Sequence, residues 1–107
     1  MTLRENVVIV TGGAKGVGRY AAHTFAKEGA RVAIADVDVE RLHRTLSELG
    51  QITDAMAVSA DVRSEDEVRR LIDEVVTRFG RIDVLLNNAG IVPHTAWGIP
   101  RWPPIRS

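Results

Sequence analysis

The sequence predicts an α/β fold: half of a doubly wound parallel sheet, with four strands in the order 3-2-1-4, three covering helices and an irregular C-terminal tail. Three observations predict it. Short continuous apolar runs alternate with segments of helical spacing, which is the pattern of strands buried on both faces and of helices that cover them. Start and stop residues mark the ends of the helical segments. The connections are short, two to six residues, as strand–helix–strand layering requires.

The first strand is Val7–Thr11, "VVIVT", and the first helix runs over Val17–Glu28. "RVAIAD", Arg31–Asp36, is the second strand, and Val39–Leu49 the second helix. "AMAVSA", Ala55–Ala60, and "IDVLLN", Ile82–Asn87, are the third and fourth strands, with a helix over Glu65–Phe79 between them. Gly29, Gly50 and Gly80 each follow a helical segment, where a left-handed residue ends a helix. Ser64 followed by Glu67 reads as a capping box for the third helix. Right-handed crossovers then put the strand-order reversal between strands 1 and 4, and the ligand crevice is expected at their carboxyl ends.

These elements make one unit over residues 1–92. From Pro93 onward, "PHTAWGIPRWPPIRS" holds all four prolines and both tryptophans of the chain. Pro100, Pro103 and Pro104 rule out a regular helix, so residues 93–107 are read as an irregular tail.

Composition excludes several classes of function. Fourteen basic and fourteen acidic residues cancel, so the electrostatic footprint of a nucleic-acid or membrane-surface protein is missing. The chain has no cysteine, which removes disulfides, thiolate metal sites and cysteine nucleophiles. No metal site is read. No apolar run approaches the ~20 residues that cross a bilayer, and the N-terminus lacks a signal-peptide core; the expectation is a cytoplasmic protein.

Gly12, Gly16 and Gly18 follow the first strand directly and open the first helix, with the spacing Gly-x-x-x-Gly-x-Gly. Such a loop lets the backbone turn sharply and approach a ligand, while the helix N-terminus offers free N–H groups to an anion such as a pyrophosphate. The same glycines also suit a plain tight joint between strand and helix. Asp36 ends the second strand, eighteen residues past Gly18, about the interval at which a carboxylate takes hydrogen bonds from an adenosine ribose. Its alternative is a cap for the helix near Val39. A carboxylate there repels a 2′-phosphate, whereas Lys15 attracts one. On balance the residues favour NAD over NADP.

With "TGGAKGVG" after strand 1, Asp36 after strand 2, "ADV" at 60–62 and "NNAG" at 87–90, the chain resembles the N-terminal half of a classical short-chain dehydrogenase/reductase, a Rossmann-type fold. The resemblance covers about Leu3 to Val92. It implies that Thr11, Gly12, Gly16, Val17 and Gly18 surround the pyrophosphate and neighbouring ribose. Asp36 would hold the adenosine ribose, Asp61 and Val62 would contact adenine, and Asn87, Ala89 and Gly90 would line the cofactor cleft. Read without the family, Asp61 is equally a strand end, and Asn87 and Asn88 equally turn formers.

The family's catalytic serine and Tyr-x-x-x-Lys pair have no counterpart here. Tyr20 is the only tyrosine, with Thr24 four residues on, and the lysines are Lys15 and Lys27. No catalytic residue is assigned; His23, His43 and His94 are read as solvated surface or tail residues. A truncation or frame shift near Thr95 would explain the change of composition. The expected function is therefore that of an oxidoreductase half that binds the dinucleotide and is inactive alone. The alternatives are a non-enzymatic nucleotide- or partner-binding half-domain, or a half completed by a second chain. Strand 4 is expected to be an exposed edge through which chains self-associate.

Overall fold

The computed structural model describes residues 5–88. The tail over 93–107, with Ala89 and Gly90, lies outside the described residues. Four strands and three helices alternate: β1 Val7–Thr11, α1 Gly16–Lys27, β2 Arg31–Asp36, α2 Val39–Leu49, β3 Ala55–Ser59, α3 Glu65–Phe79 and β4 Val84–Asn87. All pairings are parallel, in the order β3-β2-β1-β4.

Register explains the continuous apolar runs. Val8 pairs with Val32 on one side and Val84 on the other, and Val10 with Ile34 and Leu86. β1 is buried along its whole length, because both faces of the sheet are covered. Val8, Val10, Val32 and Ile34 face α1 and α2, which add Ala22, Ala26, Leu42 and Leu49 to that core. Val7, Ile9, Ala33 and Ala35 face α3, which adds Val68, Leu71, Ile72, Val75 and Phe79. Burying one such Val or Leu side chain stabilises by about 1.5–3 kcal/mol. In α1 the residues turned inward are small, Gly18, Ala22 and Ala26 at intervals of four, so this helix lies close on the sheet.

The helix ends depart from the sequence reading in two places. Gly29 and Gly80 take positive φ (97° and 84°), but Gly50 is right-handed, with φ −64°. The chain coils on through a turn instead: the N–H groups of Gly50, Ile52 and Thr53 donate to Leu46 and Leu49 carbonyls at 2.8–2.9 Å. The capping box at Ser64 is half made. Ser64 Oγ accepts from the Glu67 N–H at 3.3 Å, but Glu67 Oε1 accepts from the Asp61 N–H at 2.7 Å and does not return to Ser64. Boundaries also move slightly: Ala60, Ile82 and Asp83 fall outside strands, and α1 runs from Gly16 to Lys27.

β4 is one of the two edge strands of the sheet among the described residues, and it is clamped to β1 at both ends. At the start, the Asp83 N–H donates to the Val7 carbonyl and the Val7 N–H donates to Asp83 Oδ2, both at 2.8 Å. At the end, Thr11 Oγ1 donates to Asn87 Oδ1 at 2.9 Å and accepts from the Asn88 N–H at 3.0 Å. The ends of β1 and β4 are thereby held at a fixed separation, and the site opens there. No helix among the described residues is long and apolar enough to cross a membrane.

Candidate functional site

The carboxyl ends of β1, β2 and β3 surround an open cavity of about 620 Å³. Gly12, Lys15, Gly16 and Val17 come from the loop between β1 and α1, Asp36 and Val37 from the end of β2, and Ala60 to Arg63 from the loop after β3; Asn88 closes the β4 side.

The loop reaches this position because of two glycines that act differently. Gly16 has φ +61° and nothing within 4 Å of where a Cβ would stand. Its need is conformational: an L side chain rarely adopts that backbone. Gly18 is a packing position, since a Cβ there would lie 2.0 Å from the Gly12 carbonyl oxygen and 2.8 Å from Asn88 Nδ2. The first turn of α1 therefore presses directly on the loop that precedes it.

The three helix starts differ electrically. Asp38 caps α2 by accepting from the Arg41 N–H at 3.2 Å, and Ser64 caps α3, whose first turn holds Glu65, Asp66 and Glu67. At α1 the cap position is Lys15, in extended backbone, with no side-chain hydrogen bond and no acidic residue in the first turn. Its leading N–H groups and the positive end of its dipole are left for an anion. Val17, 71% exposed, stands at the same opening.

Asp36 is bonded on both carboxylate oxygens. Oδ2 accepts from the Ala14 N–H and Oδ1 from the Asp38 N–H, each at 3.1 Å. It does not cap α2, which Asp38 does. Each oxygen keeps acceptor capacity toward the cavity.

Asp61 is held more completely. Its carboxylate accepts from the Arg63 N–H at 2.9 Å, Nε at 3.1 Å and Nη2 at 3.0 Å. The Arg63 side chain and then its backbone N–H hold the Asp61 carboxyl below the usual aspartate range, and Asp61 raises the Arg63 guanidinium in turn. Val62 is buried beneath.

Seven of the residues singled out in the sequence thus share one cavity: Gly12, Lys15, Gly16, Val17, Asp36, Asp61 and Val62. Thr11 is fully buried behind it and works as the β1–β4 clamp, with Asn87 as its partner. Gly18 underlies the loop without lining the cavity. Arg63, Val37 and Asn88 line it without having been assigned from sequence. Asn88 carried a signal, as the second asparagine of "NNAG". Arg63 and Val37 carried none beyond adjacency to an acidic residue.

A smaller cavity of about 230 Å³ adjoins on the α2 side and shares Lys15 and Gly16. Arg19, Arg41, Arg44 and Glu48 also line it. Glu48 Oε1 accepts from Arg19 Nη2 at 2.7 Å and lies 2.9 Å from His23 Nε2. Hydrogen bonds from Arg19, then His23, pull the Glu48 carboxyl below its ordinary value. His23 is therefore a hydrogen-bond partner of Glu48 that joins α1 to α2, not the merely solvated residue expected from sequence. His43 is exposed as expected, and His94 lies outside the described residues.

Residues 6–99 match the family model described as short chain dehydrogenase. A sorbitol dehydrogenase of Cereibacter sphaeroides is 40% identical over 91 residues, which are 85% of this chain and 35% of that protein. The structure of an NAD+-bound xylitol dehydrogenase is similar with a TM-score of 0.81 at 34% identity, over 85% of this chain and 35% of the other. The Pseudomonas aeruginosa RhlG/NADP active-site complex is similar with a TM-score of 0.77 at 36% identity, over 91% of this chain and 39% of the other. The chain spans little more than a third of the length of these relatives.

Proposed function

Because this chain belongs to the short-chain dehydrogenase family, we propose that residues 5–88 are the cofactor-holding part of a nicotinamide-dependent oxidoreductase, with NAD preferred to NADP. One observation carries the reading: the uncapped start of α1, beginning at positive-φ Gly16, and the Asp36 carboxylate open into the same cavity. The fit is chemical. The N–H groups at the uncapped start of α1 suit a pyrophosphate, a carboxylate at hydrogen-bonding depth suits a ribose diol, and the apolar side chains of Ala60 and Val62 suit a base.

When bound, a nicotinamide dinucleotide supplies the hydride acceptor or donor. The chain's own residues hold and orient. Gly12, Gly16, Val17 and the α1 start would take the phosphates, with Thr11 and Gly18 fixing that backbone from behind. Asp36 would take the adenosine ribose. Asn87 and Asn88 would bound the nicotinamide side, together with Ala89 and Gly90 by the family pattern. The family's Tyr-x-x-x-Lys pair is not among these 107 residues, since Tyr20 has Thr24 and no lysine four residues on. The reading is that the chain binds the dinucleotide, shows no alcohol or carbonyl turnover by itself, and works in the cytoplasm.

A second reading, NADP as the cofactor, is favoured by the adjoining cavity, where Lys15, Arg41 and Arg44 gather positive charge beside Gly16. Calorimetric titration with NAD and NADP decides between them. Tighter NAD supports the Asp36 reading, and tighter NADP replaces it. Pairing of two chains along β4 is the accompanying proposal about partners, and sedimentation that shows only monomer at high concentration removes it.

A further inference from the structure

The wall of the main cavity that leads into α3 is built from a short run bonded within itself. The Asp61 N–H donates to Glu67 Oε1 at 2.7 Å, and the Asp61 carbonyl accepts from the Ser64 N–H at 3.0 Å. Arg63 then delivers three hydrogen bonds to the Asp61 carboxylate, two to Oδ1 and one to Oδ2. An ionised carboxylate has about four acceptor positions, so most of its capacity is used inside the chain. The cavity meets a carboxylate–guanidinium pair there, not a free anion. Glu67 fixes the backbone on which that pair stands.

This difference selects between bases. A free carboxylate accepts from an exocyclic amino group and repels a ring carbonyl oxygen, so it favours an aminopurine. A paired carboxylate whose partner brings N–H donors to the same wall meets either group. We propose that Arg63 sets the base preference of the cavity, by neutralising Asp61 so that adenine and hypoxanthine dinucleotides are both accepted. The proposal rests on the dinucleotide reading, with the base placed against Asp61 and Val62.

Arg63 suits a clean test because its side chain is 82% exposed and its removal leaves the core intact. Reduced nicotinamide adenine dinucleotide and its hypoxanthine analogue are titrated into the 107-residue chain by nicotinamide fluorescence, for the unaltered protein, Arg63→Ala and Arg63→Gln. The expected affinities of the unaltered chain lie within about threefold of each other, and both variants move to a preference for adenine of about tenfold, chiefly through weaker binding of hypoxanthine. A tenfold adenine preference already present in the unaltered chain overturns the proposal. So does an unchanged ratio in both variants, which would make Arg63 a general support of binding. Absence of signal with either dinucleotide is a different failure, because it removes the dinucleotide reading together with the inference.

Discussion

The Ala14 N–H donates to the Asp36 carboxylate at 3.1 Å, tying the glycine loop to the end of β2 across 22 residues of sequence. One side chain therefore does two things: it fixes the loop that faces the cavity, and it presents acceptor oxygens to that cavity.

Asp36→Ala is expected to weaken NAD binding by roughly 1–3 kcal/mol, the range for a hydrogen bond to a charged group. It should also reduce discrimination against NADP, because the repulsion of a 2′-phosphate goes with the carboxylate. Calorimetric titration of both cofactors checks this. The variant should lose stability too, since the Ala14 and Asp38 N–H groups lose their acceptor, and a denaturation curve separates that loss from the binding effect.

Gly18→Ala and Gly16→Ala should fail for different reasons. At Gly18 the new methyl meets the Gly12 carbonyl at 2.0 Å, so the first turn of α1 must move, at about 1–3 kcal/mol or more. Each kcal/mol lowers Tm by roughly 4–8 °C in a chain of this size. At Gly16 there is space but φ is +61°, which costs an alanine about 1–2 kcal/mol. Thermal unfolding should show a lower Tm for both, with the larger drop at Gly18.

Thr11→Val keeps the volume of a buried side chain and removes its hydroxyl. The Asn88 N–H loses its acceptor and Asn87 Oδ1 a donor, so a loss of about 1–3 kcal/mol is expected. Urea denaturation measures it, and hydrogen exchange should place the loosening at the carboxyl end of β4.

Asp83 gives the chain an acid-sensitive clamp. Partial burial pushes its carboxyl up, but hydrogen bonds from Arg81, the Val7 N–H and Asn6 outweigh burial and hold it below the usual aspartate value. A carboxyl depressed by folding stabilises the native state fully above its unfolded pKa of ~3.9. That contribution is lost as pH falls through the lower folded value. Asp83→Ala should therefore lose about 1–3 kcal/mol at neutral pH. It should also lose less further stability than the unaltered chain as pH falls below about 4, as acid titration by circular dichroism will show.

The frame of the fold was legible because β1, β2 and β4 carry apolar runs whose meaning does not depend on their partners. The glycine loop and Asp36 were legible from spacing alone. What escaped depends on register and on distant contacts. Nothing in Asp83 reveals that it will accept from Val7, 76 residues earlier, until β4 is laid beside β1. Glu67 had the spacing of a capping box, yet the loop after β3 brings the Asp61 N–H closer than that of Ser64. Gly50 looked like a left-handed stop, but the carbonyls of Leu46 and Leu49 accept from the next residues and let the coil continue. The packing of Gly18, whose side-chain-free face meets Gly12 and Asn88, likewise depends on contacts that spacing does not show. For Arg63 no pattern distinguished a cavity wall from a solvated charge.

The proposed function requires that the open start of α1 and Asp36 together hold a dinucleotide. Titration of the purified 107-residue chain with NADH, followed by nicotinamide fluorescence, tests it most directly. A saturable enhancement that NAD competes away, and that Asp36→Ala weakens, is the predicted result. A flat signal with NADH in the millimolar range, from chain whose circular dichroism shows it folded, would contradict the account.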